Sequence, residues 1–377
     1  MSRWFFLESL LEEAHSIDMY DSRRQACEIR RFQVVNSHKD FVENYRLSEE
    51  LIDNVLQDII HLMKNPRRRG RGLSIKIKLL CALSFLASGS YQRICGKNVN
   101  TYVSQPSVSR CVREVVDALN HPSVVRKYIR FPQNSMERLK LKERFFEKYK
   151  IPGVIGCVDG TYVTMVRPSE NEERYYCRKG NHARNIQLIT DADLNILHVD
   201  AIYGGATHDS FIFNHSIIRN HLEDLVNAGE TVHLLGDSGY AQRAYLMVPV
   251  PNVEEGTPAA HYNKLHATAR NTVERAIGRL KERFRCLLVH RVLHYHPDVV
   301  AKIVVACCVL HNICNRAGLP APALHDYDNE EELRFHTVIH TQAGARNETI
   351  SQEAVIGQSS RQELINMLWR ARLHALD

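Results

Sequence analysis

The chain has 377 residues, 44% of them hydrophobic and 24% charged, with a formal net charge of +6 and a pI near 8.7. These are globular values for a chain long enough for a large and a smaller domain; the mild basicity permits a polyanionic partner without demanding one. No run of 18 apolar residues occurs, so no membrane span or membrane partner is expected, and the acidic residues within MSRWFFLESLLEEAHS exclude a secretory signal.

Ten cysteines without a C-x-x-C pair fit reduced thiols in a cytoplasmic or nuclear protein. The N-terminal part, residues 1–135, reads as helical. An amphipathic helix is predicted over Trp4–His15, and a second is opened by Ser48-Glu-Glu, with Leu51, Ile52, Val55, Leu56, Ile59 and Ile60 at helical spacing. The basic run PRRRGRG at 66–72 suits a phosphate contact, a nuclear import signal or a solvated loop. Ile75–Ala87 is an apolar helix that Gly89-Ser90 breaks. Ser104-Gln105-Pro106-Ser107 then starts a helix with an apolar stripe at Val108, Cys111, Val112, Val115, Val116 and Leu119. This all-α region, about 75–120, has the layout of a helix-turn-helix, although ordinary helical hairpins share it. DNA contacts there would run through Gln105, Ser107, Arg110 and Arg113.

A Lys- and Arg-rich linker is expected over Met136–Lys150. In GVIGCVDGTYVTMV (Gly153–Val166), Asp159-Gly160 divides two apolar runs. That pattern reads either as a plain hairpin turn or as a buried strand carrying a carboxylate to a turn or bulge, where a cation must compensate it. Asn185–Thr190 and Ile196–Tyr203 form a hairpin around a turn at 191–195. Asp209 precedes a helix over Phe211–Asn220, where it suits a helix N-cap or a metal ligand. Val232–Gly236 is a buried strand ending at Asp237, Tyr245–Val250 is a further short strand, and 251–260 is a polar loop.

The next helix is His266–Arg285, with an apolar line of Val273, Ile277, Leu280 and Phe284. Glu274 lies beside that line among arginines, so it is either a salt-bridged surface residue or part of a site. Cys307, His311 and Cys314 at i, i+4, i+7 could hold a metal, but without an evident fourth ligand a packed helix is the simpler reading. Residues 321–377 are expected to be a mobile tail with a terminal amphipathic helix over Arg361–Leu373.

The order strand, hairpin, helix, strand, short strand, helix gives an α/β fold: a ribonuclease-H-like mixed sheet flanked by helices, over about 150–320. Adjacent strand ends would bring Asp159 and Asp237 to one edge, where Glu274, 37 positions after Asp237 (274 − 237), could join them. Three clustered carboxylates repel unless cations sit among them; two Mg²⁺ or Mn²⁺ ions would satisfy them and support in-line phosphodiester cleavage.

GCVDGTYV, YGGATHDSFIF, LLGDSGY and RNTVERAIGRLKERF, in this order, resemble the motifs of the PIF/Harbinger transposase superfamily, most nearly its domesticated vertebrate branch, the Harbinger transposase-derived nucleases. The resemblance is strong over about 150–320 and looser over the N-terminal helices. It implies a DDE endonuclease with divalent metal at Asp159, Asp209, Asp237 and Glu274. Asp159, Asp237 and Glu274 are expected as the catalytic triad on strand order, with Asp209 accessory, while Asn271, Arg275 and Lys281 would orient the carboxylate and approach phosphate. The resemblance also implies a Myb-like DNA-binding partner protein that shares target choice and nuclear import. A non-catalytic DNA-binding adaptor on the same fold is the alternative, and a homo-oligomer is compatible with the sequence.

Overall fold

The computed structural model describes residues 38–63, 72–96, 101, 103–324, 326–340 and 352–374. The helix expected at Trp4–His15 and all but the last residue of the basic run at 66–72 lie outside these. The chain divides into two compact units, Met1–Phe85 with Ser90–Val112, and Leu86–Gly89 with Arg113–Asp377.

The first unit is helical among its described residues: α1 (His38–Tyr45), α2 (Glu49–Ile59), most of α3 (Ile75–Ser88), α4 (Gln92–Cys95) and the first half of α5 (Gln105–Leu119). α2 starts where Ser48 Oγ accepts the Leu51 N–H at 3.3 Å, and it buries Ile52, Val55 and Ile59 along one stripe. The apolar stripe of α5 is buried as its spacing predicts, while Gln105, Arg110 and Arg113 are exposed. The segment between α4 and α5 includes residues 97–100 and 102, outside the described residues.

The second unit is built on a five-stranded mixed sheet in the order β3-β2-β1-β4-β5. Its strands are β1 (Val154–Thr164), β2 (Ala183–Thr190), β3 (Ile196–Gly204), β4 (His233–Leu235) and β5 (Leu246–Met247). β1–β2 and β2–β3 are antiparallel, and β1–β4 and β4–β5 are parallel. The expected mixed sheet flanked by helices is therefore present, with the hairpin turning at Asp191, whose Oδ1 accepts the N–H groups of Asp193 and Asn195.

The helices of this unit include α6 (Pro122–Tyr128), α7 (Ser135–Tyr149), α8 (Asp209–Asn214), α9 (Ile217–Asn227), α10 (Pro258–Arg283), α11 (Pro297–Arg316), α12 (Asp326–His340) and α13 (Gln352–His374). Several depart from expectation. The basic stretch read as a linker is helix α7: Asn134 Oδ1 accepts the Glu137 N–H at 2.9 Å and Glu137 Oε2 accepts the Gln133 N–H at 2.8 Å, a reciprocal cap. The helix expected over Phe211–Asn220 is two helices, because Ser216 caps α9. α10 begins eight residues early, at Pro258 rather than His266, because Thr257 caps it and Pro258 suits its first turn.

Residues 326–340 and 352–360 are helical rather than irregular. α12 is tied down by buried acids: Glu332 meets Lys281 and the Val289 N–H, and Asp328 lies 3.0 Å from His290. α13 buries Leu364, Ile365 and Leu368, and Arg361 donates to the Val248 carbonyl at 3.2 Å.

α11 is long and apolar enough to cross a membrane, with mean hydropathy 1.6, yet 72% of that window is buried inside the fold. Asn312 clamps the start of β3 through the N–H and carbonyl of Ile196 at 2.8 and 2.7 Å. His311 meets the Leu194 carbonyl at 3.0 Å and Arg283 at 3.2 Å, so both its nitrogens are engaged. With Cys307 and Cys314 also buried, this face of α11 is core.

Candidate active site

Asp159-Gly160 makes no turn. β1 runs straight through it, paired with β2 from Cys157↔Thr190 to Thr164↔Ala183, so Asp159 stands opposite Leu188 within a buried strand. The parallel neighbour β4 pairs Cys157 with Leu235. Each strand reaches a carboxylate two residues later, at Asp159 (157 + 2) and Asp237 (235 + 2). The parallel register thus carries both acids past the last β1–β4 pair in the same direction, and the charge of Asp237 is felt at Asp159. α10 packs on β1 at the same level: the Cys157 thiol donates to the Ala269 carbonyl, 3.4 Å away. One residue on, Arg270 Nη1 donates to Asp159 Oδ2 at 3.3 Å, while Nη2 donates to Glu274 Oε1 one helical turn later. Side-chain exposure is 13% for Arg270, 17% for Asp159 and 45% for Glu274, so the bridge is sheltered on its strand side and open on its helix side.

Asp209 arrives from another direction. His208 is the cap residue of α8 and Asp209 its first helical residue, so the expected N-cap role does not apply. Asp209 Oδ1 instead accepts Asn185 Nδ2 at 2.6 Å, and that amide also donates to the Thr207 carbonyl at 2.9 Å. Gln187 Nε2 donates to the Asp209 carbonyl at 3.0 Å and to the Tyr240 hydroxyl at 3.2 Å. A Cβ on Gly160 would lie 2.4 Å from Asp209 Oδ1, inside any allowed contact. The glycine after Asp159 is thus explained by close approach of the Asp209 carboxylate.

The acids sense one another. Burial pushes Asp159 up to about 7; Arg270 opposes that, and the charges of Asp237 and Asp209 add to it. Asp209 is raised too, first by burial and then by Asp237, with the Asn185 hydrogen bond opposing. Burial works to lower Arg270, but Asp159, Glu274 and Asp237 together hold it above its usual value. The Tyr240 hydroxyl is held well above the usual phenol range by burial and by the same three aspartates.

The donors at this site are oxygens, with no soft ligand among the four acids, which suits a hard divalent cation. Asn185 Oδ1 and Gln187 Oε1, on the two side chains that hydrogen-bond Asp209, are buried without a hydrogen-bond partner. As the side chains stand, no three His, Cys, Asp or Glu among the described residues are disposed to grip one ion. Arg270 supplies the compensating charge instead.

Other expected site residues fall elsewhere. Lys281 is buried: its ammonium donates to Glu332 Oε2 at 2.8 Å and to the Tyr162 carbonyl at 3.3 Å, so the expected phosphate contact is replaced by an interior ion pair. Its place one turn beyond Ile277 puts it on the inward face. Arg275 is exposed and donates to the Tyr149 hydroxyl at 3.0 Å. The bridging role of Arg270 was foreshadowed by its i,i+4 spacing to Glu274. Asn185 and Gln187 had a signal as well, two polar residues at period 2 that flank the apolar Ile186 and are followed by the apolar Leu188 and Ile189 of β2.

Residues 158–312 match the family model for DDE superfamily endonucleases. The protein named "Putative nuclease HARBI1" from Xenopus laevis is 30% identical over 337 residues, 89% of this chain and 92% of the relative. Its namesake from Homo sapiens is 33% identical over 259 residues, 68% of this chain and 72% of the relative. "Antagonist of like heterochromatin protein 1" of Arabidopsis thaliana is 25% identical over 285 residues, 72% of this chain and 68% of the relative. No solved structure matches the chain. With its motifs, its mixed sheet and this extent of similarity, the chain belongs to the family of domesticated Harbinger-derived DDE nucleases.

Proposed function

We propose that the chain is a divalent-metal-dependent DNA endonuclease of Harbinger-transposase origin, on a ribonuclease-H-like fold, that hydrolyses phosphodiester bonds by a two-metal mechanism. The observation that supports this reading is the register of β1 against β4, which carries Asp159 and Asp237 past their last paired residues in the same direction, together with the Arg270 bridge between Asp159 and Glu274. Asp159, Asp237 and Glu274 would hold two Mg²⁺ or Mn²⁺ ions, with Asp209 an accessory ligand. Bound there, the ions would lower the pKa of the attacking water and stabilise charge on the attacking and leaving oxygens. The protein's part is positioning. β1 holds Asp159, the segment that leaves β4 holds Asp237, Asn185 and Gln187 hydrogen-bond Asp209, and α10 carries Glu274. In the reaction a water oxygen attacks phosphorus, the P–O bond to the leaving sugar oxygen breaks, and the water proton passes to solvent while that oxygen is protonated.

DNA would be gripped by Arg275 at the rim and read by Gln105, Ser107, Arg110 and Arg113 on α5 as the second helix of a helix-turn-helix. A Myb-like partner protein would share target choice, and the protein would work in the nucleus after synthesis in the cytoplasm. The second reading, a DNA-binding adaptor that retains the fold without cleaving, is favoured by the plant relative, which bears a chromatin-related name rather than a nuclease one.

Incubating the purified chain with supercoiled plasmid and Mn²⁺ separates the two. Nicking that needs the metal and disappears in Glu274→Gln is the expected result; DNA binding with no cleavage at any metal or salt concentration would leave the adaptor.

A further inference from the structure

Arg270 is the cation best placed to compete with metal at this centre. Its guanidinium bridges Asp159 on β1 and Glu274 on α10, the two acids contributed by different elements. It answers to Asp237 as well. The four acids carry up to four negative charges and Arg270 returns one, so the centre is left with a deficit of positive charge (4 − 1) that a guanidinium alone cannot close. Two divalent ions would supply the full four. Metal on the Asp159 and Glu274 oxygens that Arg270 now engages would set a fixed positive charge against the ion. The bridge and the metals therefore exclude one another.

Arg270 lies one helical turn before Glu274, whose side chain is nearly half exposed, so solvent and ions reach the bridge from its Glu274 side.

We propose that Arg270 is a placeholder for metal: it ties Asp159 to Glu274 whenever the carboxylates hold no cation, and metal loading proceeds by displacing it. This rests on the reading above, that these carboxylates take divalent cations. As a positioning residue, Arg270 keeps the acids from splaying apart, and it sets a threshold metal concentration below which the centre stays closed.

The test is Mn²⁺ binding by the full chain, followed by calorimetry and electron paramagnetic resonance, in wild type, Arg270→Lys, Arg270→Gln and Arg279→Gln. Arg279 is exposed on the same helix, so its variant reports a generic loss of one positive charge. Arg270→Lys keeps the charge but cannot fork between two carboxylates. Both Arg270 variants are expected to bind Mn²⁺ about tenfold tighter or more, corresponding to about 1.4 kcal/mol, and Arg279→Gln by less than about twofold. In chelator, Arg270→Gln should melt below wild type and be raised more by Mn²⁺ than wild type is, a readout independent of cleavage. Folded Arg270→Lys that binds Mn²⁺ no tighter than wild type overturns the placeholder while leaving the nuclease reading intact. Absence of Mn²⁺ binding in every variant overturns both.

Discussion

Lys281 offers a clean separation of an interior ion pair from a DNA contact. Its side chain is 4% exposed and its ammonium lies 2.8 Å from Glu332, itself 11% exposed. Lys281→Ala removes the cation and leaves a buried carboxylate on α12, a loss that costs about 3–5 kcal/mol when one partner of a buried pair is deleted. At roughly 2–4 °C per kcal/mol for a domain of this size, the melting temperature should fall by about 10 °C. Replacing both partners, Lys281→Met with Glu332→Leu, should recover most of that loss, because neither charge is then stranded in the interior. The assay is thermal and urea unfolding at neutral pH, paired with DNA binding over a salt series. The double variant should keep the wild-type salt dependence, whereas Arg275→Gln, removing an exposed charge at the rim, should reduce the slope by about one. Lys281→Ala that is as stable as wild type but loses salt-dependent DNA affinity would refute the assignment of Lys281 to the interior.

Gly160→Ala places a methyl where Asp209 Oδ1 now sits, so it should cost about 1–3 kcal/mol and slow plasmid nicking at least tenfold; wild-type nicking would show that Asp209 has room to yield. Asn185→Ala removes a donor to the Asp209 carboxylate and should destabilise by about 1.5–3 kcal/mol in chelator, read by denaturant unfolding, with no loss marking that bond as unimportant. His266, its Nε2 against the Met247 carbonyl, is held to about 4 by burial, below its unfolded value of 6.5. A depressed histidine contributes stability that is present above pH 6.5 and is lost as pH falls toward 4, on the order of 3 kcal/mol for a shift of this size. His266→Gln should therefore flatten the decline in stability between pH 6.5 and 4, and an unchanged slope would contradict the buried neutral imidazole.

The sheet and its acids were legible because their signals are local. Short apolar runs ending in Asp159 and Asp237 marked strands, and the turn at 191–195 marked the hairpin between them. What escaped depends on pairing across the fold. α7 looked like a linker because its charged residues outnumber its apolar ones, although the cap formed by Asn134 and Glu137 was written in the chain. α12 reads as mobile because its buried acids meet partners from distant segments, Glu332 the Lys281 ammonium and Asp328 the His290 ring. Composition cannot distinguish such acids from exposed ones. Gly160 read as a turn residue because glycine after aspartate serves turns more often than close approach; only the position of Asp209 decides between these uses.

The most direct examination of the carboxylate centre is anomalous diffraction from crystals grown with Mn²⁺. Peaks between Asp159, Asp237 and Glu274, with the Arg270 guanidinium turned away from them, are the expected result. Saturating Mn²⁺ that leaves Arg270 bridging Asp159 and Glu274, with peaks only elsewhere, would contradict it.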